Sequence, residues 1–231
     1  MSTYLYKSLI YIREHRFAFL LFGLIQHLYI GMTGLDTGLY ETVVWPVNMV
    51  VLGIASLGVF NRSKRWAKAL GILLLIIVFS TPLLLPIFGY STGIVQFMSI
   101  SYLFYFLYIA WGIKDCLFRP RSMTNEVIFA SASGYFLLIE IASFLMMYFY
   151  AGDANSFRGI DGTSIATVYM DFVYFETITQ STVGFGDITP VAYAPRLASA
   201  FLAAVGQLYL VLLVGVIISR YAGHRSNRSN G

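Results

Sequence analysis

The chain has 231 residues, 58% of them hydrophobic and only 11% charged, and a formal net charge of +4. So apolar a composition excludes a water-soluble domain, which needs far more polar residues to cover its surface. The single cysteine, Cys116, excludes an intrachain disulfide and a cysteine-rich metal site, and the scattered His15, His27 and His224 offer no ligand spacing.

Crossing a hydrocarbon core of ~30 Å takes runs of about 18 or more apolar residues, and six such runs can be marked along the chain. Residues 1–16 carry Lys7, Arg13 and Arg16 with Leu5, Leu9 and Ile12 on one helical face. This fits either a helix lying on the membrane surface or an extension of the first span. The first span covers residues 17–32, and the loop after it, 33–41, holds Asp36 and Glu41. The span contains Gln26 and His27 and lacks a small-residue cleavage pattern after it, which argues against a removed signal peptide.

The second span, 42–60, ends in a basic stretch with Arg62, Lys64, Arg65 and Lys68. A third follows to about residue 90, and the missing amides of Pro82 and Pro86 predict a kink or an end in it. The fourth, 92–112, is dense in aromatic residues suited to packing, among them Tyr102, Phe106, Tyr108 and Trp111, and is followed by a basic loop, 114–121. The fifth span, 126–150, leads into a turret-like loop, 151–166, and then a short segment, 167–180, that reads as a helix re-entering the membrane without crossing it. The sixth runs from Pro195 to Tyr221, with Pro195 in its first turn, and leaves a tail from His224 to Gly231 too short to fold.

With six crossings and both termini cytoplasmic, Lys7, Arg13, Arg16, Arg62, Lys64, Arg65, Lys68, Lys114, Arg119, Arg121, Arg220, Arg225 and Arg228 fall inside. Only Arg158 and Arg196 fall outside, while Asp36, Glu41, Asp153, Asp161 and Asp171 lie outside or near the outer face. The positive-inside rule predicts this asymmetry. The basic residues are therefore topology signals and not a nucleic-acid surface.

Between the fifth and sixth spans lies Thr177-Ile178-Thr179-Gln180-Ser181-Thr182-Val183-Gly184-Phe185-Gly186-Asp187. This run closely resembles the selectivity-filter signature of the potassium channel superfamily, and residues 126–222 resemble its outer helix, pore helix, filter and inner helix. A dehydrated potassium ion needs oxygens in place of its water shell, and rings of backbone carbonyls supply them. Aiming successive carbonyls at one axis takes alternating ordinary and left-handed dihedrals, which Gly184 and Gly186 adopt at little steric cost.

The resemblance implies an all-α membrane protein with six transmembrane helices, a re-entrant pore helix, a selectivity filter and a tetrameric pore. A four-helix block, 1–125, precedes a pore domain, 126–231. K+ is the transported ion, held by carbonyls of Thr182, Val183, Gly184 and Phe185, with Gly186 completing the motif. The Thr182 hydroxyl forms the innermost site and Val183 packs behind the filter. Ser181 and Thr179 match the hydroxyl-rich pore-helix end. Tyr174 stands where the family has a tryptophan bonded to the aspartate after the filter, which implies a Tyr174–Asp187 hydrogen bond. Phe185 replaces the commoner tyrosine and faces Phe175 at the matching pore-helix position, so ring packing replaces that hydrogen bond. Gly206 is placed like the inner-helix hinge, and a close helix contact is the other reading of it.

Two carboxylates at membrane depth, Glu140 and Glu176, stand out, because ionisable groups there are costly. For Glu140 a hydrogen-bonded helix contact and a gating sensor both remain open. Moving one charge across the field is worth ~2.3 kcal/mol per 100 mV, yet residues 92–113 contain no arginine or lysine. A charge-based voltage sensor is therefore not expected. The implied function is passive, selective K+ conduction by a homotetramer in a plasma membrane, its cytoplasmic basic residues contacting anionic lipids. The alternatives are a weakly selective cation channel and a non-conducting receptor or interaction subunit. No nucleophile–base pair suggests an enzyme, and no organic cofactor is implied.

Overall fold

The structure is a computed structural model and describes residues 15–34, 36–60, 65–89, 91–118 and 125–229. Its long helices are α1 (Arg16–Tyr29), α2 (Trp45–Leu57), α3 (Arg65–Phe88), α4 (Thr92–Phe118), α5 (Asn125–Gly152), α6 (Ile165–Gln180) and α7 (Tyr193–Ser229), with short helical turns between some of them. Two short strands, β1 (Phe157–Arg158) and β2 (Thr189–Pro190), complete it. Six helical stretches are long and apolar enough to cross a membrane: Arg16–Thr33, Tyr40–Leu57, Arg65–Leu83, Thr92–Lys114, Asn125–Gly152 and Tyr193–Gly215. α6 is not among them, as expected for a re-entrant segment. Most of the surface stretch 1–16, with Lys7 and Arg13, lies outside the described residues, as do Arg62, Lys64, Arg119 and Arg121.

Proline decides the local winding at two places. Pro46 cannot donate to the carbonyl four residues back, and the turn before it, Tyr40–Val44, winds as a π-helix instead. The helix does not end at Pro82: α3 continues to Phe88. The carbonyl orphaned by Pro82 is that of Val78, and two hydroxyls take it, Thr81 Oγ1 at 3.0 Å and Tyr102 Oη at 3.2 Å. Neighbouring side chains thus restore the bonding a proline removes inside a membrane helix.

α7 also outruns expectation, continuing to Ser229 through the predicted tail. No proline lies between His224 and Ser229 to stop a helix already nucleated upstream.

The first four helices and the last part of the chain share one core. Phe17, Leu20 and Leu24 of α1, Leu52 of α2, Met98, Tyr102 and Phe106 of α4, Phe144 of α5 and Phe172 of α6 belong to one buried cluster. Tyr102 stacks on Phe144 at 4.5 Å between ring centroids. α1 and α4 therefore pack directly on α5 and hold α6 in place. The turret is more ordered than a loop: β1 pairs antiparallel with β2, Phe157 opposite Pro190 and Arg158 opposite Thr189.

Candidate functional site

α6 starts from a capped N-terminus. Ser164 Oγ accepts from the Thr167 amide at 3.2 Å and Thr167 Oγ1 accepts from the Ser164 amide at 3.1 Å, a reciprocal capping box. A third amide, that of Ala166, donates at 3.0 Å to Glu41 Oε1, which arrives from the π-helical turn before α2. A carboxylate there complements the positive end of the helix dipole.

The C-terminal end of α6 is held by the motif that follows. Ser181 N donates to Thr177 O and Thr182 N to Thr179 O, each at 3.1 Å. Val183 N and Gly184 N both donate to Ile178 O, at 2.9 and 3.1 Å. The chain then alternates: φ is positive at Thr182 (63°), Gly184 (54°) and Gly186 (79°). The two glycines were expected in this conformation. Thr182 was not, and as a residue with a branched Cβ it carries backbone strain that the surrounding bonds must hold.

Beyond the motif, Tyr174 Oη donates to Asp187 Oδ2 at 2.6 Å, the hydrogen bond that the resemblance implied. That bond holds the Asp187 carboxyl below its ordinary range. Gly159 of the turret presses against the same residue. Its φ is +87°, and a Cβ there would lie 2.2 Å from the Asp187 carbonyl oxygen. Only glycine fits both the dihedral and the contact.

Two expected contacts are not made within one chain. Phe175 is buried and meets Phe157 edge-on at 6.3 Å, while Phe185 is 71% exposed. Val183, expected behind the motif, is 54% exposed. Among the described residues of one chain, neither side chain is fully covered.

Gly206 faces α6 across a tight contact. A Cβ there would lie 3.0 Å from Gln180 Oε1, and the helix runs through this position unbroken. The next residue, Gln207, donates from Nε2 to the Gln180 carbonyl. Gln180 Nε2 in turn donates to Leu138 O at 3.3 Å and to Glu176 Oε2 at 3.5 Å. Glu176 is fully buried. Two residues on, Tyr209 Oη donates to Ser131 O of α5 at 2.7 Å, in space left by Gly134.

Glu140 is fully buried in a cluster assembled from three helices. His27 Nδ1 lies 2.6 Å from Glu140 Oε1 and 3.0 Å from Tyr169 Oη, which donates to Glu140 Oε2 at 3.1 Å. Nearby, Tyr29 Oη and Thr177 Oγ1 are 3.2 Å apart. Sequence reasoning singled out Glu140 but missed His27, Tyr169, Tyr29, Gln207 and the capping role of Glu41. A histidine in the middle of an apolar run was the one signal available.

Residues 126–222 match the family model described as "Ion channel". Among relatives, the potassium voltage-gated channel subfamily KQT member 4 of Homo sapiens is 36% identical over 99 residues, 43% of this chain and 13% of that protein. Two-pore potassium channel 4 of Arabidopsis thaliana is 26% identical over 120 residues, 50% of this chain and 42% of the relative. The potassium voltage-gated channel protein Shal of Drosophila melanogaster is 25% identical over 121 residues, 52% of this chain and 20% of the relative. The chain thus spans less than half the length of each. No solved structure matches it.

Proposed function

This chain belongs to the potassium channel superfamily through residues 126–222, and we propose that it conducts K+ passively and selectively through the Thr182–Gly186 filter. The observation that carries this reading is the alternation of positive φ at Thr182, Gly184 and Gly186 directly after a short capped helix. Alternation turns successive carbonyls of Thr182, Val183, Gly184 and Phe185 to one side, where rings of them replace the water of a K+ ion. Four copies must surround one pore, so the working unit is a homotetramer. Its neighbours would cover Phe185 and Val183, together with Phe201, Leu208, Val211 and Leu212 of α7, all more than half exposed in the single chain.

In this reading α6 is the pore helix, residues 1–125 are a scaffold block and residues 126–231 the pore domain. Tyr174, Phe175, Ser181 and Asp187 brace the filter. The block senses no voltage by charge, because α4 carries no arginine or lysine from Thr92 to Ile113. The basic asymmetry puts both termini in the cytoplasm of a plasma-membrane protein. Contact between anionic lipid and Arg220, Arg225, Arg228, Arg119 and Arg121 belongs to the same reading, although Arg119, Arg121 and the other three side chains lie outside the described residues.

The experiment is flux from liposomes holding the purified chain, with K+ or Na+ gradients. Potassium should pass far better than sodium, and Gly184→Ala should abolish selective flux, since alanine meets a steric penalty of ~1–2 kcal/mol at a left-handed dihedral. Equal permeability would overturn the reading. It would favour the weakly selective cation pore.

A further inference from the structure

His27, Glu140 and Tyr169 come from α1, α5 and the pore helix, and sequence separations of 113 and 142 residues bring His27 to its two partners. All three are no more than 1% exposed. Their walls are aromatic: Trp45 stacks on Tyr169 at 5.6 Å, Phe144 lies 5.2 Å from the same ring, and Phe106 lies 6.2 Å from the imidazole. The titratable groups within electrostatic reach of Glu140 are His27, Tyr169, Tyr40 before α2 and Tyr102 of α4.

A carboxylate and an imidazole so buried are net neutral only when they hold one proton between them. Losing it leaves a bare anion in an apolar wall, and gaining a second leaves a bare cation, each a costly state. The 2.6 Å separation of Nδ1 and Oε1 is hydrogen-bond distance, with room for one proton between them. Tyr169 reads that state directly, because its hydroxyl touches both partners. Among the described residues His27 Nε2 has no hydrogen-bond partner, so the ring is oriented by Glu140 and Tyr169 alone.

We propose that His27 and Glu140 are positioning residues for the filter, clamping Tyr169 through one shared proton and so fixing the pore helix from behind. The first helix is then part of the conduction machinery. Tyr29 against Thr177, two residues along α1 and two turns along the pore helix, adds a second point of contact. This inference rests on the reading of Thr182–Gly186 as a K+ filter.

The test uses the full chain in liposomes and three variants that keep volume: Glu140→Gln, His27→Gln and Tyr169→Phe. K+ over Na+ permeability should fall in each variant, least in Glu140→Gln, which can still bond Tyr169. Permeability ratios equal to the parent's in all three would overturn the proposal, and a purely structural cluster would shift only thermal stability. If the parent passes no K+ at all, the conduction reading fails by itself. The clamp is then decided by amide exchange over residues 165–180, expected to speed up about tenfold in Tyr169→Phe, as for loss of a bond to a charged group. Unchanged exchange would end it.

Discussion

Glu41 and Ala166 stand 125 residues apart in sequence, and the carboxylate of one accepts a 3.0 Å hydrogen bond from the amide of the other. An acid in the turn before α2 thus serves as part of the N-terminus of α6. Glu41→Ala removes a partner from an amide that no intrahelical carbonyl can serve. A loss of about 1 kcal/mol is expected, as for other helix caps. Thermal unfolding of the purified protein reads it, and exchange of the Ala166 amide should quicken. Protection unchanged at Ala166 would show that water replaces Glu41 without cost.

At the outer end of the filter, Tyr174→Phe deletes the hydroxyl that bonds Asp187 and keeps the ring. The folded-state pKa of Asp187 is depressed by that bond, so its contribution is present above the ordinary carboxylate pKa and fades as pH falls through the depressed value. The carboxyl titration of Asp187, followed by NMR, should move up toward the ordinary range in the variant. An unmoved titration would assign the depression to the backbone amides instead.

Gly159→Ala tests the turret. The new methyl meets both a left-handed dihedral and the Asp187 carbonyl at 2.2 Å. Backbone strain of this kind costs about 1–3 kcal/mol, and either the turret or the post-filter strand must move to relieve it. We expect lower thermal stability together with altered K+ over Na+ permeability. Loss of stability alone would mean that the turret yields and the filter does not feel it.

For voltage, open probability should change only weakly across physiological potentials, any residue of dependence arising in the filter. A steep sigmoidal activation curve in planar bilayers would contradict a block without a charged fourth helix.

How much of this was legible depended on whether the interaction lay within one stretch of sequence. The motif from Thr177 to Asp187 carries its own dihedral demands in its glycines, and Tyr174 lies thirteen residues from its partner Asp187, close enough for a family pattern to join them. Glu41–Ala166, His27–Glu140 and Tyr29–Thr177 each bridge more than a hundred residues, and no periodicity announces such pairs. That α3 does not end at Pro82 was hidden for a related reason. Its rescue came partly from Tyr102 on another helix. Phe185 and Val183 were placed in contacts that one copy of the chain does not supply.

The bonds around Gln180 also say where the inner helix can swing. Gln207 grips the last carbonyl of the pore helix and Tyr209 grips α5, so the upper part of α7 is pinned at both sides just below Gly206. Bending at Gly206 would pull the foot of the filter with it. Past Tyr209 these two grips end, and among the described residues of the same chain nothing lies within 4 Å of a Cβ built at Gly215. We expect spin-label distances to change between conducting and closed channels beyond Gly215 and to stay fixed above Gln207. Such a change would make the part of α7 beyond Gly215 a lever held still at its upper end by Gln207 and Tyr209.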